Sequence, residues 1–345
     1  MTSRCAILSF ALLACAGLAR AEMHALDDDQ LSDIQGGALG IVLDGLLVDG
    51  KQANLTLNGI NNSSGQNVAV GVDDLYIANI GSKLGSTLAP AQIGSLDYPL
   101  KLSLAKGSAI STVLVSDGRT VKTLPDNISL LDFEFPALLA TSNSAGQPCI
   151  VGSSAGAVNC SSRQTGRVDL GASLSFQVTP TRKDFMRLNL SELTMDGSYL
   201  RLWSDPTSKQ LSGEFRLNLF AKSMQITTCE QGKTGCTTAA NLAANSIYLT
   251  NAYASVALGY GKAQPMRLQV QSDGNFTFTL PAITNANAAD FYANAPRTSI
   301  VIDNLNVGGT APTAPGVNPT GGVNLGRSVI DGLGIGYLRL TTHNL

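Results

Sequence analysis

"GSYLRLWSDPTSKQLSGEFRLNLF", residues 197–220, is the stretch from which the fold can be read. Leu200 and Leu202 alternate with other side chains before a Ser-Asp-Pro-Thr-Ser turn, and Phe215, Leu217 and Leu219 alternate with polar ones after it. Successive strand side chains point to opposite faces, so period two on both sides of a Pro/Asp turn predicts a β-hairpin. The same period runs through "ANLTLNG" (53–59), "LKLSLAK" (100–106), "MRLQVQSDGNFTFTL" (266–280) and "YLRLTT" (337–342). Aliphatic and β-branched residues dominate, and helical i, i+3, i+4 patterns are scarce. The expected fold is all-β: an elongated β-sandwich or β-roll built from hairpins, occupying residues 38–345 as one domain or two subdomains.

Five segments share one shape: "VLDGLLVDG" from Val42, "GVDDLYIAN" from Gly71, "NLSELTMDG" from Asn189, "VIDNLNVGG" from Val301 and "VIDGLGIGY" from Val329. Each runs aliphatic, Asp or Ser, variable, Leu, variable, aliphatic. Positions three apart on a strand face opposite sides, so the pattern implies a bulge, a bend or burial on both faces. Asp or Ser at that point can bond a freed backbone N–H. The aligned positions Asp44, Asp73, Ser191, Asp303 and Asp331 lie 29, 118, 112 and 28 residues apart. Since the long intervals are near four short ones, a β-solenoid with units of about 28–30 residues is the alternative architecture.

Residues 1–21 read as a secretory signal peptide, with Arg4 in a basic n-region, "AILSFALLACAGL" as the apolar segment, and Ala19-Arg20-Ala21 as a small-x-small site before Glu22. "Leu12-Leu13-Ala14-Cys15" also resembles a bacterial lipobox, which would leave Cys15 lipidated. Without Arg4 and Arg20, 21 basic residues face 25 acidic ones, a net charge near −4. That balance, with no Lys/Arg run, gives no electrostatic case for nucleic acid. No later stretch has the unbroken apolar length of a spanning helix. A transmembrane β-barrel is disfavoured by an aromatic content of 6%, a single Trp and a C-terminal Leu345.

Cys149/Cys160 and Cys229/Cys236 form two local pairs in Gly/Ser/Thr-rich segments, read as disulfides that staple loops in an exported chain. "GGTAPTAPGVNPTGG" (308–322) reads as an exposed spacer or long hairpin loop. Chemistry is sparse. Gly152-Ser153-Ser154-Ala155-Gly156 matches a hydrolase elbow, with Asp303 and His343 following in order, but no strand-to-helix context surrounds it. The pair Asp73-Asp74 lacks calcium-loop spacing, and "GLGIGYLRL" lacks the third glycine of a dinucleotide cradle. No catalytic residue, metal ligand or cofactor is therefore assigned.

"LDDDQLSDIQGG" (26–37) has the outline of a double-glycine leader, yet it also reads as a short capped helical turn with a glycine exit, within a segment 22–37. Asp27 caps, Gln30 reaches back, Leu26 and Leu31 staple, Ile34 extends the apolar stripe, and Gly36 or Gly37 supplies the left-handed exit. A signal followed by a Leu-rich acidic turn, glycine and a Gly-Ile strand start resembles a group of Gram-negative envelope proteins that includes the Fil-type pilus-system proteins. The closing "LGRSVIDGLGIGYLRLTTHNL" is similar as well. In that group the turn runs into Gly-Gln, whereas here Gly36 is followed by Gly37. The resemblance implies a structural or accessory role in a pilus, fimbrial or adhesive system at the periplasm, outer membrane or cell surface. It also implies envelope or pilus proteins, or further copies of the chain, as partners. A periplasmic or outer-membrane-associated binding protein for an apolar ligand is the alternative.

Overall fold

The computed structural model describes residues 38–51, 55–96, 99–114, 119–135, 167–205, 210–271 and 274–342. The signal site Ala19, Ala21 and Glu22, the turn from Leu26 to Gly37, and Cys149 and Cys160 lie outside them.

The described chain is all-β and hairpin-built, with no closed barrel. Its first half holds β1 (Leu39–Ile41), β2 (Leu43–Leu46), β3 (Val48–Asp49), β4 (Leu55–Asn61), β5 (Asn67–Asn79), β6 (Ala91–Ile93), β7 (Leu100–Lys106), β8 (Thr112–Val113), β9 (Thr120–Val121) and β10 (Ser129–Glu134). There follow β11 (Val168–Thr179), β12 (Arg182–Leu193), β13 (Tyr199–Ser204), β14 (Leu211–Glu230), α1 (Ala239–Ala244), β15 (Ser246–Leu258), β16 (Met266–Val270) and β17 (Phe276–Leu280). The chain closes with α2 (Asn285–Asn294), β18 (Thr298–Val307), β19 (Val323–Leu333) and β20 (Leu338–Thr341). Sixteen strands form one antiparallel sheet.

The 20-residue β14 is shared by two lobes. Its first part pairs with β13 on one edge and β16 on the other, extending to β10, β7 and β1 and to β17 and β20. Its later part pairs with β12, and most of its opposite edge with β15, extending to β11, β5, β3 and β4 and to β18 and β19. Antiparallel pairing throughout, with motif copies scattered over β2, β5, β12, β18 and β19, fits hairpins and sets the solenoid aside.

The hairpin forms as read, with Leu200 facing Phe215 across β13 and β14. Alternation of this kind ordinarily turns its leucines inward, yet here the buried face is the other one. Arg201, Glu214, Arg216 and Asn218 are buried, while Leu104 and Leu131, on neighbouring strands of the opposite face, are 75% and 40% exposed. Arg201, 2% exposed, explains the inversion. Its Nε donates to Asp132 Oδ1 at 3.1 Å, Nη1 to Glu214 Oε1 at 2.8 Å and to Thr112 Oγ1 at 2.7 Å, and Nη2 to Glu134 Oε1 at 3.0 Å. The Tyr199 ring lies 3.9 Å from the guanidinium carbon. Thr123 Oγ1 and the Gly261 amide complete the Glu214 carboxylate at 2.8 and 3.3 Å. A buried charge is tolerated only when its donors and acceptors are met, and this network meets them while joining β8, β10, β13 and β14.

All five motif copies carry a register shift that places an extra residue at or beside the Asp/Ser position. These are Leu43/Leu46 on β2, Asp73 on β5, Ser191–Glu192 on β12, Asp303–Asn304 on β18 and Asp331–Gly332 on β19. The insertion keeps aliphatics three apart, such as Ile302 and Leu305, on one face. Glu192 and Gly332 adopt positive φ, 53° and 73°. The carboxylates are used differently from expectation. Asp73 and Asp331 accept serine hydroxyls from the neighbouring strand, Ser175 at 3.0 Å and Ser299 at 2.6 Å. The N–H freed at Glu192 donates to Asp169 on β11 at 2.8 Å.

Replacing Arg201 by Met leaves buried carboxylates without their cation and lowers stability by about 3–5 kcal/mol, to be read from urea unfolding. Burial, with the charge of Glu134, pushes the Asp132 carboxyl up to about 6 despite the opposing pull of Arg201. The folded protein therefore binds this proton more tightly than the unfolded chain. The resulting stabilisation is full below about pH 4 and fades as pH rises through about 6. Asp132→Asn keeps an acceptor for Arg201 and makes the melting temperature less dependent on pH between 4 and 6, measured by circular dichroism.

Candidate functional site

A cleft of about 580 Å³ lies over one face of β12, β14 and β15. Strand pairing builds its floor in three rows: Arg187, Thr227 and Ser246; Asn189, Gln225 and Tyr248; Ser191, Ser223 and Thr250. The polar side chains follow from the two-residue period of "DFMRLNLSEL", whose Met186, Leu188 and Leu190 take the other face. Leu188 and Leu190 pack there with Ala91, Ile77 and Ile93.

Three segments far apart in sequence wall the cleft. Gly81 to Leu84 come from the turn after β5, Leu242 from α1, and Ala311 to Pro315 from the 308–322 segment. That segment is the long hairpin loop joining β18 to β19. Asn306 Nδ2 holds its neck by donating to the Gly308 and Gly321 carbonyls, both at 3.1 Å. Its far side is pinned by the Gly316 amide, which donates to Ser223 Oγ at 2.7 Å. Cys229 and Cys236 form the expected disulfide, with Cα atoms 5.8 Å apart. It closes the turn that leads into α1, so the staple helps to place Leu242.

Part of the floor is committed within the protein. Gln225 Nε2 donates to Thr227 Oγ1 and Ser246 Oγ at 3.1 Å each. Asp169, the one acidic residue lining the cleft, accepts the Gly81, Ser82 and Glu192 amides at 2.7, 3.0 and 2.8 Å. Burial raises its carboxyl pKa, against the pull of those three donors. Tyr76 lies across Gly171 and is pushed up to about 12 by burial and by the charges of Asp169 and Asp74. Arg187, Asn189 and Ser191 are different. Their side chains make no hydrogen bond to another described residue, and the Arg187 guanidinium carbon sits 4.7 Å from the Phe185 ring centroid.

The other residues singled out in the sequence do not converge here. Asp73 is held by Ser175 and lies 3.7 Å from Lys183 Nζ. Asp303 sits at the β18 bulge, 3.9 Å from Arg327 Nε, while Ser154 and His343 fall outside the described residues. Gly334 of the glycine-rich segment packs against the Arg297 guanidinium, where a Cβ would collide. Among the described residues, no three His, Cys, Asp or Glu side chains group to hold a metal. No helix of the described chain is long and apolar enough to cross a membrane. Compared with known protein families, curated proteins and solved structures, the chain matches none.

Asn189 and Ser191 belong to the repeated aliphatic–Asp/Ser segment, which marked a bulge and not a binding role, and Arg187 lies in no motif. The sequence signal for a shared polar face is the polar half of an alternating strand, and it gains meaning only once β14 is known to lie beside β12. A side chain at Gly171 would strike the Tyr76 ring at several atoms. Gly171→Ala therefore destabilises the protein by about 1–3 kcal/mol, measured by thermal or urea unfolding.

Proposed function

We propose that the protein is a non-enzymatic, exported envelope protein that serves as a structural or accessory component of a pilus or fimbrial system and self-associates through the edge of its sheet. The observation that carries this reading is β19. It runs 11 residues and, among the described strands, pairs with β18 alone. Val323, Leu325, Val329, Ile330 and Leu333 on it are 44–60% exposed. Soluble β-proteins usually blunt such an edge with charge, proline, bulges or a covering loop, because its free N–H and C=O groups template another strand; bulges at Leu325 and Asp331–Gly332 leave residues 326–330 as the regular stretch of this one. Arg327 and Asp331 are the only charges on this one. An open edge with aliphatic side chains is suited to strand addition from a second copy, where backbone bonds supply affinity and apolar contacts supply fit. The signal-like N-terminus and the resemblance of the two chain ends support the envelope setting.

A carrier for an apolar ligand has less support. The free guanidinium, amide and hydroxyl on the cleft floor would lose water against an alkyl chain without gaining partners.

Sedimentation velocity over a range of concentrations tests the self-association. The native protein shifts to larger species as concentration rises, and Val323→Lys/Ile330→Lys stays monomeric with an unchanged circular dichroism spectrum. A native protein that stays monomeric throughout removes the edge-pairing reading.

A further inference from the structure

We propose that the cleft between the 308–322 loop, α1 and the turn after β5 binds an acidic sugar, with Arg187 taking the carboxylate and Asn189 and Ser191 the ring hydroxyls. The site is independent of edge pairing at β19.

Three features of the floor choose this chemistry. Arg187 has no carboxylate within ion-pairing distance among the described residues, in contrast to Arg201 and Arg182. The guanidinium carbon lies over the Phe185 ring at 4.7 Å, and its N–H groups, which can bond a carboxylate in two parallel contacts, make no hydrogen bond to a described residue. Asn189 and Ser191 follow at alternate positions on the same strand face, presenting an amide that both donates and accepts and a hydroxyl that does the same. Hydroxyl groups need that mixture, whereas a simple inorganic anion needs donors alone.

The walls complete the match. Leu84, Leu242, Pro312 and Pro315 line the cleft above this floor, apolar surfaces against which the C–H face of a sugar ring can pack. The volume is in the usual range for small-ligand sites, about 300–1,000 Å³. Asp169 is not a competing anion on the Arg187 row, since it lies on β11 across from Ala78 and its oxygens hold three backbone amides. Lys83, exposed at the rim, adds a second positive charge near the mouth.

Saturation-transfer NMR and calorimetry with the full-length protein would use sodium glucuronate, methyl β-glucuronoside, glucose and sodium decanoate. Glucuronate binds, and glucose binds about tenfold or more weakly for want of the charged hydrogen bonds. Arg187→Met loses about tenfold or more of the glucuronate affinity while melting like the native protein. Should that variant fail to fold, Asn189→Ala/Ser191→Ala carries the test, weakening glucuronate and glucose alike. The glucuronoside stands for a residue within a glycan: tighter binding of it than of free glucuronate makes a polysaccharide the source, and the reverse makes it a free sugar acid. Absent binding of glucuronate and the glucuronoside, binding unaffected in the folded Arg187→Met variant, or preference for decanoate overturns the assignment.

Discussion

One buried guanidinium organises the lobe built on the first part of β14. Arg201 has carboxylates from β10 and β14 around it, and desolvating any of these charges alone would be prohibitive. The groups must therefore arrive together, which fixes the register of β13 against both neighbours and brings the β8 region onto the same face. A hydrophobic core tolerates small slides. A network of fixed donors and acceptors does not, so the interior here specifies a single arrangement.

The cost of this choice appears on the opposite side of the sheet. Side chains alternate, so a polar inner face leaves an aliphatic outer one, and the exposed Leu39, Leu104, Leu131, Val270 and Leu340 are its visible result. The motif bulges protect the same division of faces. An unbroken β18 would turn Leu305 to the side opposite Ile302, and its extra residue returns the aliphatics to a common face.

The sequence was most informative where the physics is local. Alternation around residues 197–220 placed two paired strands, and the aliphatic–Asp–x–Leu spacing marked five places where a strand's period must break, leaving bulge, bend and two-sided burial open until the pairing decided for the bulge. It was least informative about which face is inside. Leu200 and Leu202 look like core residues until Asp132, almost 70 positions away, is found beside Arg201. The cleft was hidden for the same reason: its floor needs the long-range pairing of β12 with β14 and β15, and its walls come from residues 81–84, 242 and 311–315. The Cys229–Cys236 bridge was readable because only six residues separate the two cysteines. The proline-rich loop was recognised as a connection, but composition cannot reveal that it lies back over the sheet.

The 20-residue β14 has strand neighbours on both of its edges and belongs to both lobes at once. No cut through the described chain can separate those lobes without stripping one of them of its central strand. Unfolding of either lobe must expose the backbone of the strand on which the other is built, so the two share one cooperative transition. The exposed aliphatic strand of one lobe and the charge network of the other are therefore not independent modules: mechanical load or heat applied to one region is felt throughout.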